Sequence, residues 1–343
     1  MGNPVNAMVI GSGTIGSEVI GRLVSDPLWN LSCVVQSRAY RFGAFGVLQN
    51  SREFDPANRK QFRAMLTEEK PEVAFLAIPT RDKGEVALGY IQDLLASGAK
   101  VVTAEKGVAS WQFKEIASHL AHIDLGSAVG GGNAFTYTIG RRHLRGKRVT
   151  ILAVLNATMN RILSDVQSGM SLDKAASDAS SLGFAEPLRP GQRPDPLTIF
   201  NGELVDVVMK ICAFFNLVLS RGEYLTPNRF QERSIDQAMM RRLISPNDRR
   251  RFMVTFTNEA SSVDDDDDLI APMRLQIGGM YVTAGFKSIK SGTFLSKWMP
   301  EGIDNGVLLY EDSDVYMYAG PGAGPGPTAS AMMAGAKELL KID

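Results

Sequence analysis

The stretch VIGSGTIG, residues 9–16, decides the fold. It sets Gly11, Gly13 and Gly16 in a G-x-G-x-x-G array that closes the apolar run AMVIG and opens the amphipathic run GSEVIGRLVSD. In that place each glycine has a separate role. The first permits a tight turn, the second lets the backbone approach a pyrophosphate, and the third brings helix close onto strand. The helix beginning here, with Thr14 and Ile15 in its first turn, offers free N–H groups and a positive dipole end to phosphate. Outward from this point the apolar runs LSCVVQ, EVAFLAIPT and AKVVTA alternate with helical stretches such as GEVALGYIQDLLASG. Alternation over residues 7–150 predicts an α/β unit, a Rossmann-type doubly wound parallel sheet with helices on both faces.

About twenty residues past the glycines, the second strand ends at VVQSRAYRFG (34–43). A site preferring NAD usually places a carboxylate there against the ribose hydroxyls. This chain has Gln36, Ser37 and Arg38, with Arg41 close by. Without an acid to repel a 2′-phosphate, and with guanidinium groups to bind one, the site favours NADP, with NAD as the alternative.

Beyond residue 150 the pattern changes. Helical stretches around 159–183 and 201–219 are followed by the strand-like runs RFMVTFT, MRLQIGG and NGVLLYEDSDVYMYAG, which predicts an α+β second domain over 151–325. The last segment, PTASAMMAGAKELLK, starts on Pro327 and Thr328 and predicts a closing helix over 326–343 that returns to the first domain, residues 1–150.

The helical stretch NGELVDVVMKICAFFN (201–216) sets Asp206 and Lys210 four residues apart among apolar neighbours. That spacing puts carboxylate and ammonium side by side on one helix face. On its own such a pair more often serves as a structural salt bridge. Reduction of a carbonyl, however, needs a hydride source and a proton donor at the developing alkoxide, and a lysine in a desolvated site supplies both charge and proton.

Composition narrows the classes of function. The chain has 343 residues, 44% hydrophobic and 22% charged, enough for about two domains. Its 37 basic and 37 acidic side chains cancel, so no global field draws it to nucleic acid or an anionic membrane, and the expected partner is a small molecule or another protein. Cys33 and Cys212 lie far apart in apolar settings, against a disulfide scaffold or a cysteine zinc site. The N-terminus has no basic leader and no apolar run approaches a membrane span, so a cytoplasmic location is expected. His119, His122 and His143 lack accompanying ligands and are read as surface or packing residues, so no metal is assigned. The runs RRR (249–251) and DDDDD (264–268) are read as solvated loop or strand-end features.

Six segments together resemble homoserine dehydrogenase: VVTAEKGVAS (101–110), AVGGGNAF (128–135), LNATMNRIL (155–163), GFAEP (183–187), DVVMK (206–210) and GPGAGPGPTASA (320–331). They span nearly the whole chain in the family's order, and the resemblance is to a short form without the C-terminal regulatory ACT domain. It implies a pyridine-nucleotide enzyme interconverting L-homoserine and L-aspartate 4-semialdehyde in threonine and methionine biosynthesis. The second domain would be catalytic and would also form a homodimer. By the same resemblance Lys210 donates the proton to the substrate oxygen, Asp206 helps hold the substrate, and Lys106 approaches both cofactor and substrate. Glu186 binds the substrate's amino group, Asn156 and Thr158 line the substrate, and Thr80, Lys106 and Gly324 line the nicotinamide end of the cofactor.

Departures from the family pattern keep two other readings open. Glu105 stands where asparagine is usual, Asn133 and Ala134 where an apolar residue and proline follow, and Gly126 where a glutamate serves a monovalent-cation site. The segment after Glu186 is long and carries Arg189 and Arg193. The chain would then be a same-fold oxidoreductase for another small hydroxy or amino acid or aldehyde, or a non-catalytic NADP-binding sensor or partner subunit.

Overall fold

The computed structural model describes residues 3–342 apart from 45–46, 57, 133–134, 186–190, 232–233, 246–247 and 261–268. The chain forms two compact units, Met1–Gly132 with Pro325–Asp343, and Asn133–Gly324. The division falls at 132 instead of the 150 expected from strand alternation, because residues 135–140 pack on residues 215–219 within the second unit.

The first unit runs β1 (Val5–Ile10), α1 (Thr14–Ser25), β2 (Trp29–Val35), β3 (Ala39–Ala44), β4 (Val47–Glu53), α2 (Arg59–Glu69), β5 (Val73–Leu76), α3 (Glu85–Ala96), β6 (Lys100–Thr103), α4 (Lys106–Ser110), α5 (Phe113–Ile116) and β7 (Ile123–Asp124). The strands form one sheet in the order β4-β3-β2-β1-β5-β6-β7. From β2 to β7 every pairing is parallel. Beyond β2 the hairpin β3–β4 extends the sheet antiparallel. The central strands are buried on both faces, and so β5 reads as the unbroken apolar run VAFL.

The second unit runs α6 (Phe135–Gly140), β8 (Val149–Val154), α7 (Ala157–Gln167), α8 (Leu172–Ser181), α9 (Pro196–Phe214), α10 (Gln237–Leu243), β9 (Arg250–Thr257), β10 (Ile270–Ile277), β11 (Met280–Ser288), α11 (Phe294–Trp298), β12 (Asp304–Glu311) and β13 (Asp314–Pro321). Its six-stranded sheet has the order β10-β11-β9-β8-β12-β13, and every pairing is antiparallel. Helix α9 is fixed on one face of this sheet near both of its ends. Phe200 lies 6.0 Å from Phe286, and Phe214 stacks on Phe256 at 5.2 Å between ring centroids. Past Phe214 the helix continues as a π-turn segment, Phe215–Leu219, with the Ser220 amide donating to the Phe215 carbonyl at 2.8 Å.

The closing helix α12 (Pro325–Leu340) belongs to the first unit. Ala329, Met332 and Ala336 enter its core with Val9, Val19, Leu23 and Phe75. No helix among the described residues is long and apolar enough to cross a membrane.

Three local expectations change. The helical stretch 159–183 is two helices, α7 and α8, divided at Gly169 (φ +97°), with Ser171 capping the second. The run NGVLLYEDSDVYMYAG is a hairpin, β12 and β13, turning at Asp312 (φ +53°). The run RRR is not solvated: Arg250 and Arg251 are buried at the start of β9. Arg250 pairs with Asp248, and Arg251 donates to the Gln167 Oε1 at 2.8 Å and the Ser164 Oγ at 2.9 Å. Burial, with the charge of Arg249, pushes the Arg251 guanidinium down to about 10. The run DDDDD lies outside the described residues.

Candidate functional site

In the first unit the three glycines are distinguished by what surrounds them. A Cβ on Gly11, at φ +97°, would stand 2.3 Å from the Ala77 carbonyl oxygen, and one on Gly16 would stand 1.9 Å from the Gly11 carbonyl oxygen. Both positions are closed to side chains by backbone. Around Gly13 nothing lies within 4 Å, so open space begins at the N-cap of α1. That cap carries no side-chain hydrogen bond, and the first turn has no acid to compete with a phosphate. Thr14 is exposed, while the Ile15 side chain packs against the core, leaving its amide as the group able to serve a ligand.

At the end of β2, Gln36 donates from Nε2 to the Ser12 Oγ at 2.9 Å, which ties this corner to the glycine turn. Arg38 is exposed beside it. Thr80 is half-buried in the turn after β5. Lys106 opens α4, and Glu105 is the N-cap of that helix. Its two carboxylate oxygens accept from the Gly107 amide at 2.8 Å and the Val108 amide at 2.7 Å. The unusual acid before Lys106 is therefore a buried helix cap tied to backbone amides. Thr103 Oγ1 accepts from the Glu105 amide at 3.0 Å and donates to the Leu76 carbonyl at 2.9 Å, joining the ends of β5 and β6 beside it.

In the second unit the pair seen in the sequence forms a contact. Lys210 Nζ lies 2.7 Å from Asp206 Oδ2, with the lysine side chain 13% exposed and the aspartate 2%. Asn156, at the N-cap of α7, accepts from the Met159 amide through Oδ1 at 2.8 Å. Its Nδ2 turns the other way, donating to Glu203 Oε2 at 2.7 Å and to Asp206 Oδ2 at 3.3 Å. One carboxamide thus fixes a helix start and two buried carboxylates. Thr158 donates from Oγ1 to the Phe184 carbonyl at 2.6 Å, holding α7 against the segment after α8. Glu186 lies outside the described residues. The start of α9 is set by Asp195, whose carboxylate accepts from the Thr198 hydroxyl and amide; those bonds hold it below the usual carboxylate range. Gly324, the last residue of this unit, adopts φ +104°, a conformation that strains other residues.

Glu203 is the site residue that sequence reasoning missed. It stands three residues before Asp206, on the same helix face, and is as buried as Asp206. The periodicity that paired Asp206 with Lys210 reaches it as well. The arrangement sets an ammonium donor beside carboxylate acceptors on a helix rigidly seated on a sheet, as proton transfer to a substrate oxygen requires. The histidines lie elsewhere: His119 and His122 sit in a 3-10 turn, with His122 Nδ1 2.5 Å from Lys100 Nζ. Among the described residues no group of three or more His, Cys, Asp or Glu is arranged to hold a metal ion.

A model of the homoserine dehydrogenase family matches residues 136–335, more than half of the chain. The chain belongs to the homoserine dehydrogenase family. Homoserine dehydrogenase of Lactococcus lactis is 22% identical over 98% of this chain and 74% of its own length. The crystal structure of homoserine dehydrogenase from Thermoplasma acidophilum shares the fold, with a TM-score of 0.70 at 20% identity, covering 99% of this chain and 100% of that one. A hyperthermophilic archaeal homoserine dehydrogenase in complex with NADPH does so with a TM-score of 0.66 at 19% identity, covering 99% of each chain.

Proposed function

We propose that this protein is an NADP-preferring homoserine dehydrogenase, interconverting L-homoserine and L-aspartate 4-semialdehyde in the biosynthesis of threonine and methionine. The observation that carries this reading is the buried Asp206–Lys210 contact, organised by Asn156 and Glu203, in a chain of this family. The first unit is the dinucleotide-binding domain, and the second is catalytic and forms the homodimer of a cytoplasmic enzyme.

The residues of the first unit fit the nucleotide. The open space at Gly13 and the amides of Thr14 and Ile15 would receive the pyrophosphate, Arg38 would bind the 2′-phosphate, and Thr80 and Lys106 would attend the nicotinamide end. Bound NADP supplies the hydride acceptor, and NADPH the donor. In the reductive direction the Lys210 ammonium donates its proton to the aldehyde oxygen as negative charge develops there. In the oxidative direction the same nitrogen takes the hydroxyl proton. Asp206 holds Lys210 in line and binds substrate with Glu186, while Asn156 and Thr158 fix the walls of the pocket.

The deciding experiment is NADP reduction at alkaline pH with L-homoserine beside a panel of hydroxy and amino acids. L-Homoserine is expected to give the strongest signal. Turnover of an analogue but not of homoserine would reassign the substrate, and tight NADP binding without turnover on any member would make the protein a sensor.

A further inference from the structure

We propose that the second unit carries an anion-binding site for a small phosphate- or carboxylate-bearing metabolite, separate from the Asp206–Lys210 pocket. It is a cavity of about 500 Å³ between the turn that follows α6, the start of β8 at Val149, residues 218–221 beyond α9, and Met280. Four of its lining residues are Arg142, His143, Arg145 and Arg221.

These side chains differ in how far they are committed. Arg142 donates from Nε to Glu311 Oε2 at 2.6 Å and stacks on Tyr316, 3.7 Å from the ring centroid, so its guanidinium plane is fixed. Glu311 is shared, since it also pairs with Lys147. Arg221 reaches across with Nη2, 3.4 Å from the Leu144 carbonyl, linking the two walls. His143 and Arg145 are exposed and make no hydrogen bond or ion pair among the described residues. Nearby acids are engaged elsewhere: Glu223 Oε2 accepts from the Gly278 amide at 3.3 Å, and Asp312 Oδ1 from the Arg148 amide at 3.0 Å.

A cation at the end of α9 and its π-turn extension has a simpler role, since the carbonyl end of a helix attracts positive charge. That accounts for Arg221. It does not account for His143 and Arg145 on the opposite wall, which belong to a different segment. Because the helix presents carbonyls here, an anion must be held by the guanidinium groups, whose planar forks match phosphate and carboxylate in two-point contacts. The volume suits a ligand of metabolite size.

The experiment is isothermal titration of inorganic phosphate, and separately of citrate, into the full chain pre-saturated with NADPH at constant low ionic strength. The two titrants distinguish a phosphate from a polycarboxylate ligand. Saturable binding of at least one is expected, weakened about tenfold or more in Arg145→Ala/Arg221→Ala. Arg145→Ala alone, a change to an exposed side chain, gives the same direction should the double variant fold poorly. Absence of saturation below about 10 mM or equal binding by the double variant would overturn the proposal.

Discussion

Replacing Asn156 separates two contributions that one side chain now makes. Its Oδ1 caps α7 through the Met159 amide, and its Nδ2 serves the carboxylates of Glu203 and Asp206. A cap of this kind is worth about 1 kcal/mol, and a buried hydrogen bond to a charged acceptor about 1.5–3 kcal/mol. The 3.3 Å bond to Asp206 is the weaker of the two. Asn156→Ala removes both contributions and is expected to cost about 2.5–4 kcal/mol. Asn156→Ser keeps a capping oxygen but lacks the amide donor, and is expected to cost about 1.5–3 kcal/mol. Urea unfolding followed by far-UV circular dichroism measures both. Turnover falls in both variants because the carboxylate beside Lys210 loses its anchor. If Asn156→Ser is as stable as the wild type, the amide is not what holds the buried carboxylates, and the account of the site is wrong.

Asp124, at the end of β7, is pushed up to about 6 by burial, opposed by the Gly126 amide and assisted by the charge of Glu338, from an ordinary value of 3.8. A raised carboxyl favours the protonated folded state, so the stability it contributes is full below 3.8 and lost as pH rises through about 6. Asp124→Asn is expected to exceed the wild type by on the order of 2–3 kcal/mol above about pH 7 and to match it near pH 4, by urea unfolding across pH. An unchanged gap across that range would contradict the assignment. In α12, a Cβ on Gly335 would stand 2.5 Å from the Asp124 carboxyl carbon, so Gly335→Ala is expected to cost about 1–3 kcal/mol by the same measurement. Arg38→Ala is expected to lower the ratio of kcat/KM with NADP to that with NAD by roughly tenfold or more. An unaltered ratio would place the 2′-phosphate elsewhere.

Where short-range pattern is enough, the sequence is legible. The glycine array, the buried parallel strands and the spacing of Asp206 and Lys210 each follow from local periodicity, and each stands in the structure as expected. The failures have more than one cause, and partners distant in sequence are the first of them. Arg250 and Arg251 look like solvated charge until Asp248, Gln167 and Ser164 converge on them, two of these from α7. The hairpin β3–β4 exposes most of β4 and lacks a clean alternation, so its sequence carries little strand signal. Strand β11 is hidden behind the Gly278–Gly279 turn, where both residues have positive φ. Glu105 reads as a charge beside Lys106, whereas its carboxylate is spent on the amides of α4. Glu203 is different, because the helix period contains it. Its bond to Asn156, from a helix 47 positions earlier in the chain, marks it as part of the site.

The most direct test compares NADPH formation from L-homoserine by the wild type and by Lys210→Ala, with NADPH binding followed by fluorescence in both. The account predicts homoserine-dependent turnover in the wild type and a loss of about 100-fold or more in the variant, with nucleotide affinity retained. Near-normal turnover by Lys210→Ala would contradict it.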